Sequence, residues 1–204
     1  MVYNNFDSPD SVFGNIKNDS FLAKGAEAVV YKEIWNGILT IVKKRFPKPY
    51  RQYAFDKKIR EQRTKAEANA IAKAGMYVNV PKIYEVKSDT IRMAFVEGEH
   101  AKINEEHAFA LGSMLFSIHK ANIVHNDFTV ANVLIKGNEF YAIDFGLAFH
   151  SLRIEDKASD LYCTYASFGK YGKYVLDGYN ERSNNKADEI ISRLEHIRKR
   201  MRYA

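Results

Sequence analysis

The stretch Ile123 to Gly146 reads IVHNDFTVANVLIKGNEFYAIDFG and sets polar residues at fixed intervals between apolar runs. Asp127 follows His125 by two residues, Asn132 follows Asp127 by five, and Asp144-Phe145-Gly146 closes the stretch. Phosphoryl transfer from a nucleotide asks for this inventory. It needs a carboxylate beside the acceptor, two oxygen ligands for magnesium, a cation on the phosphates, and a group that holds that cation. Asp127 suits the first role, and Asn132 with Asp144 suits the second, because magnesium prefers hard oxygen donors. Six specified positions at about one in twenty each coincide by chance about once in 10⁷ to 10⁸ starting points. The structural reading, with Asp144 as a turn former at a strand end and Asn132 as a helix cap, explains either motif alone. It does not explain both together.

The cation and its holder are expected upstream. In TIVKKRF, strand alternation puts Ile41 and Lys43 on one face and Val42 and Lys44 on the other. Lys43 is the expected phosphate contact, with Lys44 or Arg45 as solvated alternatives. Glu67 stands mid-helix among Arg63, Lys65 and two alanines and is placed to reach Lys43; its purely structural role is an i,i+4 pair with Arg63. Gly25, between the first two strands, lets backbone amides approach a phosphate, although one glycine is a weak signal and no G-x-G-x-x-G is present. No His/Cys/Asp spacing suggests zinc, and His119 and His125 read as structural residues. The 13 tyrosines and 13 phenylalanines are scattered in the manner of core residues.

These residues have to be positioned by 204 residues, 46% of them hydrophobic, enough for one large domain or two small lobes. The net charge of +6 favours a polyanionic partner such as a nucleotide or nucleic acid. Cys163 is the single cysteine, fits a reducing compartment and reads as a small buried residue. No signal peptide or apolar run of membrane-spanning length is found, so the expected location is the cytoplasm, or the nucleus in a eukaryote. Residues 1–20 read as loosely held. Strands are predicted over 20–24, 28–35 and 38–46, the last two joined by the hairpin dipeptide Asn36-Gly37. A helix from Asp56 to its stop at Gly75 has Ile59, Ala66, Ala70 and Ala74 as its buried stripe. VPKIYEV and TIRMAFV add two strands joined at Ser88-Asp89. The sheet-rich lobe spans 1–97. Within 98–204, Asn104 caps a helix to Ala121 with Ala108, Leu111, Leu115 and Ile118 inward; NVLIKG and FYAID form strands; helices cover about 156–168 and 185–201. The fold class is α+β, a sheet-rich lobe followed by a helical one, with the cleft between them as the expected ligand site.

Six segments carry a resemblance to a known family: GAEAVVY (25–31), VKKRFPKPYR (42–51), DKKIREQRTKAEA (56–68), HNDFTVANV (125–133), IDFGLA (143–148) and EDKASDLY (155–162). Together they resemble the Bud-type, PRPK-like atypical Ser/Thr kinases of the KEOPS (EKC) complex, distant relatives of the RIO kinases, over about Leu22 to Arg202. The resemblance implies a miniature bilobal kinase fold that binds ATP and Mg2+. It implies Lys43 and Glu67 as the ion pair, Asp127 as the catalytic aspartate, and Asn132 and Asp144 as metal ligands. Gly25, Ala26 and Glu27 lie beside the nucleotide, the adenine sits near the backbone of Met93, Ala94, Val96 and Glu97, and Asp160 is the buried carboxylate bracing the catalytic loop. The implied activities are weak protein kinase and autophosphorylation, partner-stimulated ATP hydrolysis, and service in making threonylcarbamoyladenosine on tRNA. The implied partners are the threonylcarbamoyl transferase subunit, met by the C-lobe, and a small companion on the N-lobe. Contact with tRNA is expected of the basic tail Arg198, Lys199, Arg200 and Arg202, or of the cations between Lys43 and Lys65.

Asn126 stands where the family has glycine, Ala94 where a hinge glutamate is common, and CTYASF lacks a usual charged pair. Only eight residues separate Gly146 from Glu155. That leaves no room for a segment that is switched by phosphorylation or seats a peptide. The competing functions are a small-molecule kinase of the same fold and a pseudokinase or RNA-binding scaffold. Retention of Lys43, Asp127, Asn132 and Asp144 together argues against the scaffold.

Overall fold

A computed structural model describes residues 21–201. The segment 1–20 and Arg202, both the subject of expectations above, lie outside the described residues. The chain divides into two compact units, one running to Ala68 and resuming over Lys82–Phe95, the other made of Asn69–Pro81 and the chain from Val96 onward.

The first unit is an antiparallel sheet of β1 (Phe21–Lys24), β2 (Ala28–Trp35), β3 (Ile38–Arg45), β4 (Ile83–Val86) and β5 (Thr90–Ala94), in the order β1-β2-β3-β5-β4. Asn36 and Gly37 both take positive φ, as a two-residue hairpin turn demands, and they fix the register from Trp35↔Ile38 to Ala28↔Arg45. Helix α1 (Tyr53–Ala74) follows the sheet's first three strands, and its residues from Asn69 onward belong to the second unit. It begins three residues before the predicted Asp56, because exposed Tyr53 and Phe55 give the first turn no apolar period. Its buried face also differs from the prediction. Ala66 is exposed and Ile59 half-buried, whereas Thr64, Glu67, Ala68, Ala70, Ile71 and Ala74 are buried. Ala70 and Ala74 are buried as predicted; in place of Ala66 the face buries Glu67, a residue that an apolar pattern skips.

The second unit contains β6 (Glu99–His100), α2 (Glu105–Lys120), β7 (Ile123–Val124), β8 (Val133–Lys136), β9 (Glu139–Ala142), β10 (Phe149–His150), α3 (Ile154–Ser167), α4 (Gly172–Arg182) and α5 (Asp188–Met201). The strands make a sheet β6-β8-β9 and a two-stranded pair β10-β7. Asn104 caps α2 as expected, its side chain accepting the His107 amide at 2.8 Å. The stripe Ala108, Leu111, Leu115, Ile118 is fully buried. Each leucine or isoleucine so placed contributes about 1.5–3 kcal/mol of transfer free energy. Cys163 is exposed, not buried. On α3 the inward positions are Ala158, Asp160, Leu161 and Thr164, which leaves Cys163 off the buried face.

Helix α4 falls between the predicted helices and was not expected. Glycines on α2 and α4 serve its packing. A Cβ on Gly112 of α2 would strike the carbonyl oxygen of Val175 on α4, and one on Gly178 of α4 would strike the carbonyl of Phe109 on α2. The two backbones approach so closely that glycine is required on each side of the contact. A methyl group at either position meets backbone, which cannot rotate away. Gly112→Ala is therefore expected to lower stability by about 2–3 kcal/mol through overpacking, read from urea denaturation midpoints. A loss below about 0.5 kcal/mol, the range of inert surface changes, would contradict the close approach.

Candidate active site

In the first unit, strand alternation puts Lys43 and Arg45 of β3 on one face, and both meet Glu67 of α1. Lys43 Nζ lies 2.7 Å from Glu67 Oε1 and Arg45 Nη2 lies 2.6 Å from Glu67 Oε2. Glu67 is 2% exposed and Arg45 4%. The expectation that Arg45 is a solvated alternative to Lys43 is thereby overturned. A carboxylate taken out of water needs compensation at both oxygens, and the second cation supplies it. The i,i+4 partner considered for Glu67, Arg63, turns instead to Glu27, which Arg45 Nη1 also reaches at 3.3 Å. Burial acts to raise the Glu27 carboxyl, but the bond from Arg63 and the charges of Arg63, Arg45 and Arg51 outweigh it and hold the group below its ordinary value. Nearby, Asp56, buried in the first turn of α1, is met by Arg60 at 2.8 Å and Arg51 at 3.5 Å, and Arg60 also reaches Asp89 at 2.7 Å. Of the ten cations expected to form a nucleic-acid face, Lys43, Arg45, Arg51, Arg60 and Arg63 are thus engaged with carboxylates.

Gly25, Ala26 and Glu27 form the turn between β1 and β2. The Gly25 amide donates to the Ala28 carbonyl at 2.9 Å, and a Cβ on Gly25 would meet nothing nearer than that oxygen at 3.7 Å. Met93 is buried in the cluster of Ala68 and Ile91, so its backbone is what it can offer to a ligand, and the Ala94 amide donates to Lys82 at 2.8 Å. Val96 is buried and Glu97 exposed, both in the second unit.

In the second unit the loop after β7 is built around Asp160 of α3. Asp160 Oδ2 accepts the His125 amide at 2.6 Å and Oδ1 accepts the Asn126 amide at 2.8 Å. Oδ2 also meets His119 Nε2 at 3.1 Å, while His119 Nδ1 lies 2.7 Å from the Tyr179 hydroxyl. Burial pushes the Tyr179 phenol well above its ordinary value, so it stays protonated as a donor. Thr164 adds a hydroxyl bond to the Phe128 carbonyl at 2.8 Å. Asn126 takes φ +65°, the left-handed region where glycine is at ease and asparagine is the next best residue. Its departure from the family's glycine therefore keeps the loop's geometry.

Asp127 is exposed beyond this brace. Asn132, in the single turn Val130–Asn132, donates through Nδ2 to the Asp127 carbonyl at 2.8 Å and carboxylate at 3.0 Å. Its amide nitrogen thus orients the carboxylate, and its Oδ1 is the atom left to act as a ligand. Asp144 follows β9 with φ +57°, and its Oδ1 accepts the Gly146 amide at 3.1 Å. Among the described residues no group of three or more His, Cys, Asp or Glu forms a metal cage. One carboxylate and one amide oxygen are the sparse donor set that suits Mg2+, which binds few protein oxygens together with substrate phosphates and water. After Gly146 the chain pairs Phe149 and His150 with β7 and enters α3 at Ile154, with Leu147, Phe149 and Leu152 exposed.

The basic tail is partly engaged within the unit: Arg198 pairs with Glu195 at 2.9 Å and Arg200 with Glu155 at 3.4 Å. Among the described residues no helix is long and apolar enough to cross a membrane. His119 is the satisfied structural residue the sequence suggested, whereas the anchoring roles of Arg45, Glu27 and Tyr179 were missed. For Arg45 the signal was present, since a period of two puts it beside Lys43.

His125 is fully buried between Phe128 and Phe145, with ring centroids at 5.1 and 4.7 Å. Neither ring nitrogen has a partner at ordinary hydrogen-bond geometry among the described residues, and the Ile143 backbone exerts only a weak pull toward the charged form. Burial holds the imidazole below its ordinary 6.5 despite Asp160, Asp144 and Asp127. A depressed folded pKa means that the neutral ring's contribution is complete above about 6.5 and is lost as pH falls below it. In His125→Phe, unfolding free energy should vary less between pH 7 and pH 5 than in wild type, and an unchanged pH slope would sink this assignment. At exposed Asn126, substitution by glycine should be nearly neutral and by alanine should cost about 1–2 kcal/mol of backbone strain, a difference read from thermal melts of the two variants.

Comparison with known proteins follows this geometry. The sequence profile of the RIO domain matches residues 40–159. A protein of Methanobrevibacter smithii, named as a probable bifunctional tRNA threonylcarbamoyladenosine biosynthesis protein, is 35% identical over 198 residues, covering 91% of this chain and 37% of its own length. A namesake from Methanosarcina mazei is 34% identical over 208 residues, 97% of this chain and 38% of its own length. The chain therefore spans well under half the length of these bifunctional relatives. The EKC/KEOPS complex subunit bud32 of Dictyostelium discoideum is 31% identical over 207 residues, 89% of this chain and 82% of the relative. Among solved structures, an amicoumacin kinase in complex with AMP-PNP and Ca2+ superposes with TM-score 0.61 at 14% identity, covering 87% of this chain and 78% of that one. WaaP in complex with acyl carrier protein gives 0.59 at 13% identity, covering 95% and 92%. At these identities the two structures establish the kinase-like fold alone. With the RIO-domain match extending over more than half of its length, and Dictyostelium bud32 aligned along most of both chains, this protein belongs to the RIO-domain family and to its Bud32-type branch.

Proposed function

We propose that this chain is an ATP- and Mg2+-dependent atypical Ser/Thr kinase and ATPase, working as the kinase subunit of a KEOPS complex that makes threonylcarbamoyladenosine on tRNA. The observation that carries the reading is the buried pair Lys43–Glu67 at 2.7 Å, a lysine held by a helix carboxylate in the manner that phosphate binding requires. Bound ATP supplies the phosphoryl group, and Mg2+ neutralises the charge that develops on it. Lys43 holds the phosphates; Asn132 Oδ1 and Asp144 are the metal ligands. Asp127, oriented by the Asn132 amide, accepts the proton of the acceptor hydroxyl, or orients water when the acceptor is water. The backbone of Met93 to Glu97 receives the adenine.

The segment between Gly146 and α3 is too short to seat a peptide, which favours turnover that depends on a protein partner. In this reading that partner is the threonylcarbamoyl transferase subunit, bound by the C-terminal unit, with a small companion on the sheet-rich unit and tRNA near the basic tail. The work is done in the cytoplasm, where a lone exposed thiol stays reduced. A small-molecule kinase reading has only the shared fold behind it.

The test is release and transfer of label from γ-labelled ATP with Mg2+, with and without the transferase subunit and tRNA. Wild type should label itself or release phosphate, most strongly with the partner, and Asp127→Ala should fall by about 10²-fold or more. Absence of turnover in every combination refutes the proposal. Full-rate turnover in Asp144→Asn removes Asp144 from the metal site.

A further inference from the structure

The β1–β2 turn is anchored more heavily than a surface turn requires. It has one glycine, and each of its next two residues is tied to later chain. The Ala26 carbonyl accepts Lys48 Nζ, and the Glu27 carbonyl accepts the Phe46 amide at 3.3 Å. The Glu27 carboxylate receives Arg63 on one oxygen and Arg45 Nη1, at 3.3 Å, on the other. The other terminal nitrogen of Arg45, Nη2, is 2.6 Å from Glu67 Oε2, and Glu67 Oε1 is 2.7 Å from Lys43. One guanidinium therefore forks between the turn and the carboxylate that holds Lys43. A guanidinium is planar and rigid, with donors at fixed angles, so it holds its two acceptors at a fixed separation; an ammonium is a compact point charge that cannot bridge them in the same way.

We propose that Arg45, acting with Glu27, is a positioning residue that sets the Gly25–Glu27 turn relative to the Lys43–Glu67 pair, so that this turn is preset for nucleotide instead of closing over it. The proposal rests on the nucleotide-binding reading above. A glycine-rich loop loses conformational freedom when it orders on its ligand, and that loss is subtracted from affinity. Here the freedom is removed in advance by a fork seated on buried Arg45 and Glu67, 4% and 2% exposed, that reaches out to Glu27, 37% exposed at the turn. Low glycine content in the turn and heavy anchoring are then two sides of one solution. Arg45 touches no reacting group; it acts through Glu27 on the turn and through Glu67 on Lys43.

The fork gives the experiment its form, because its two prongs fail separately. Glu27→Gln removes the turn prong, together with the Arg63 pair on the same carboxylate, and leaves the Glu67 prong; it should raise the KM for ATP about fivefold to tenfold while lowering kcat by less, the mark of lost binding without lost transition-state stabilisation. Arg45→Gln cuts both prongs and should raise KM to a similar extent and lower kcat about tenfold or more. Arg45→Lys keeps a charge on Glu67 but cannot span to Glu27. It should recover kcat to within about threefold of wild type and retain the raised KM. A residue that only supports the fold would move KM, kcat and melting temperature together, and lysine would rescue both constants or neither; either result overturns the proposal. Hydrogen exchange in the nucleotide-free protein reads the same coupling without turnover. Amides of residues 25–28 should exchange about fivefold faster in Glu27→Gln, with the remaining sheet amides unaltered. If wild type turns over no ATP, the kinase reading fails, and the exchange result alone decides: equal rates at residues 25–28 in wild type and Glu27→Gln dismiss the anchor.

Discussion

A carboxylate buried in a protein either collects donors or gives up its charge. Asp160, 1% exposed, collects three: the amides of His125 and Asn126 and the ring of His119. The loop that carries Asp127 has its shape from this one side chain. Two successive amides aim at this single carboxylate, and Asn126 at φ +65° turns the chain immediately after them. Asp127 then emerges from a fixed base, and Asn132 closes back on it. The proposed chemistry rests on exposed residues, but their placement rests on a buried one.

The first unit solves the same problem differently. Glu67 is also a helix carboxylate withdrawn from water, yet its donors are cations, Lys43 and Arg45, and not neutral amides. The difference follows from the proposed work. A lysine that must turn its charge toward a phosphate would leave its carboxylate under-compensated, and breaking a buried pair costs about 3–5 kcal/mol. With Arg45 already on the other oxygen, Glu67 remains neutralised when Lys43 shares its charge with a ligand. Asp160 has no such duty, and amide donors suffice.

The local geometry of the candidate site was legible in the sequence where it is written in spacing. His125, Asp127, Asn132 and Asp144 sit at intervals that local backbone geometry nearly dictates, and the structure brings Asp127 and Asn132 within 3.0 Å. The strands of the first unit were legible for the same reason, since Asn36-Gly37 and period-two alternation are local signals. What was missed depends on contacts distant in the chain. The partners of Arg45 lie 18 and 22 residues away, so the period of two that puts it on the face of Lys43 gives its side of the strand but not the fork it makes there. On the inward face of α1, Glu67 was passed over because it is charged. Helix α4 was missed because its glycines answer to other elements, Gly178 to Phe109 of α2 and Gly172 to Tyr165 of α3. Cys163 was misjudged by residue type, which says where cysteines usually lie and not which side of α3 faces inward.

The glycine contact between α2 and α4 has a reach beyond packing. Gly178 adjoins Tyr179, whose hydroxyl holds His119, which in turn holds Asp160. The distance between the two helix axes is therefore the first member of a rigid linkage whose last member is the loop bearing Asp127. A methyl group at the contact would press on that linkage at its first member. In a genetic screen Gly112 and Gly178 would score beside the residues that touch substrate, and a map of tolerance to mutation would draw the active site larger than the chemistry does. A side chain at either glycine meets the facing backbone, so both positions are held to glycine for as long as the helices keep this separation, and the helix interface records a constraint shared with the loop.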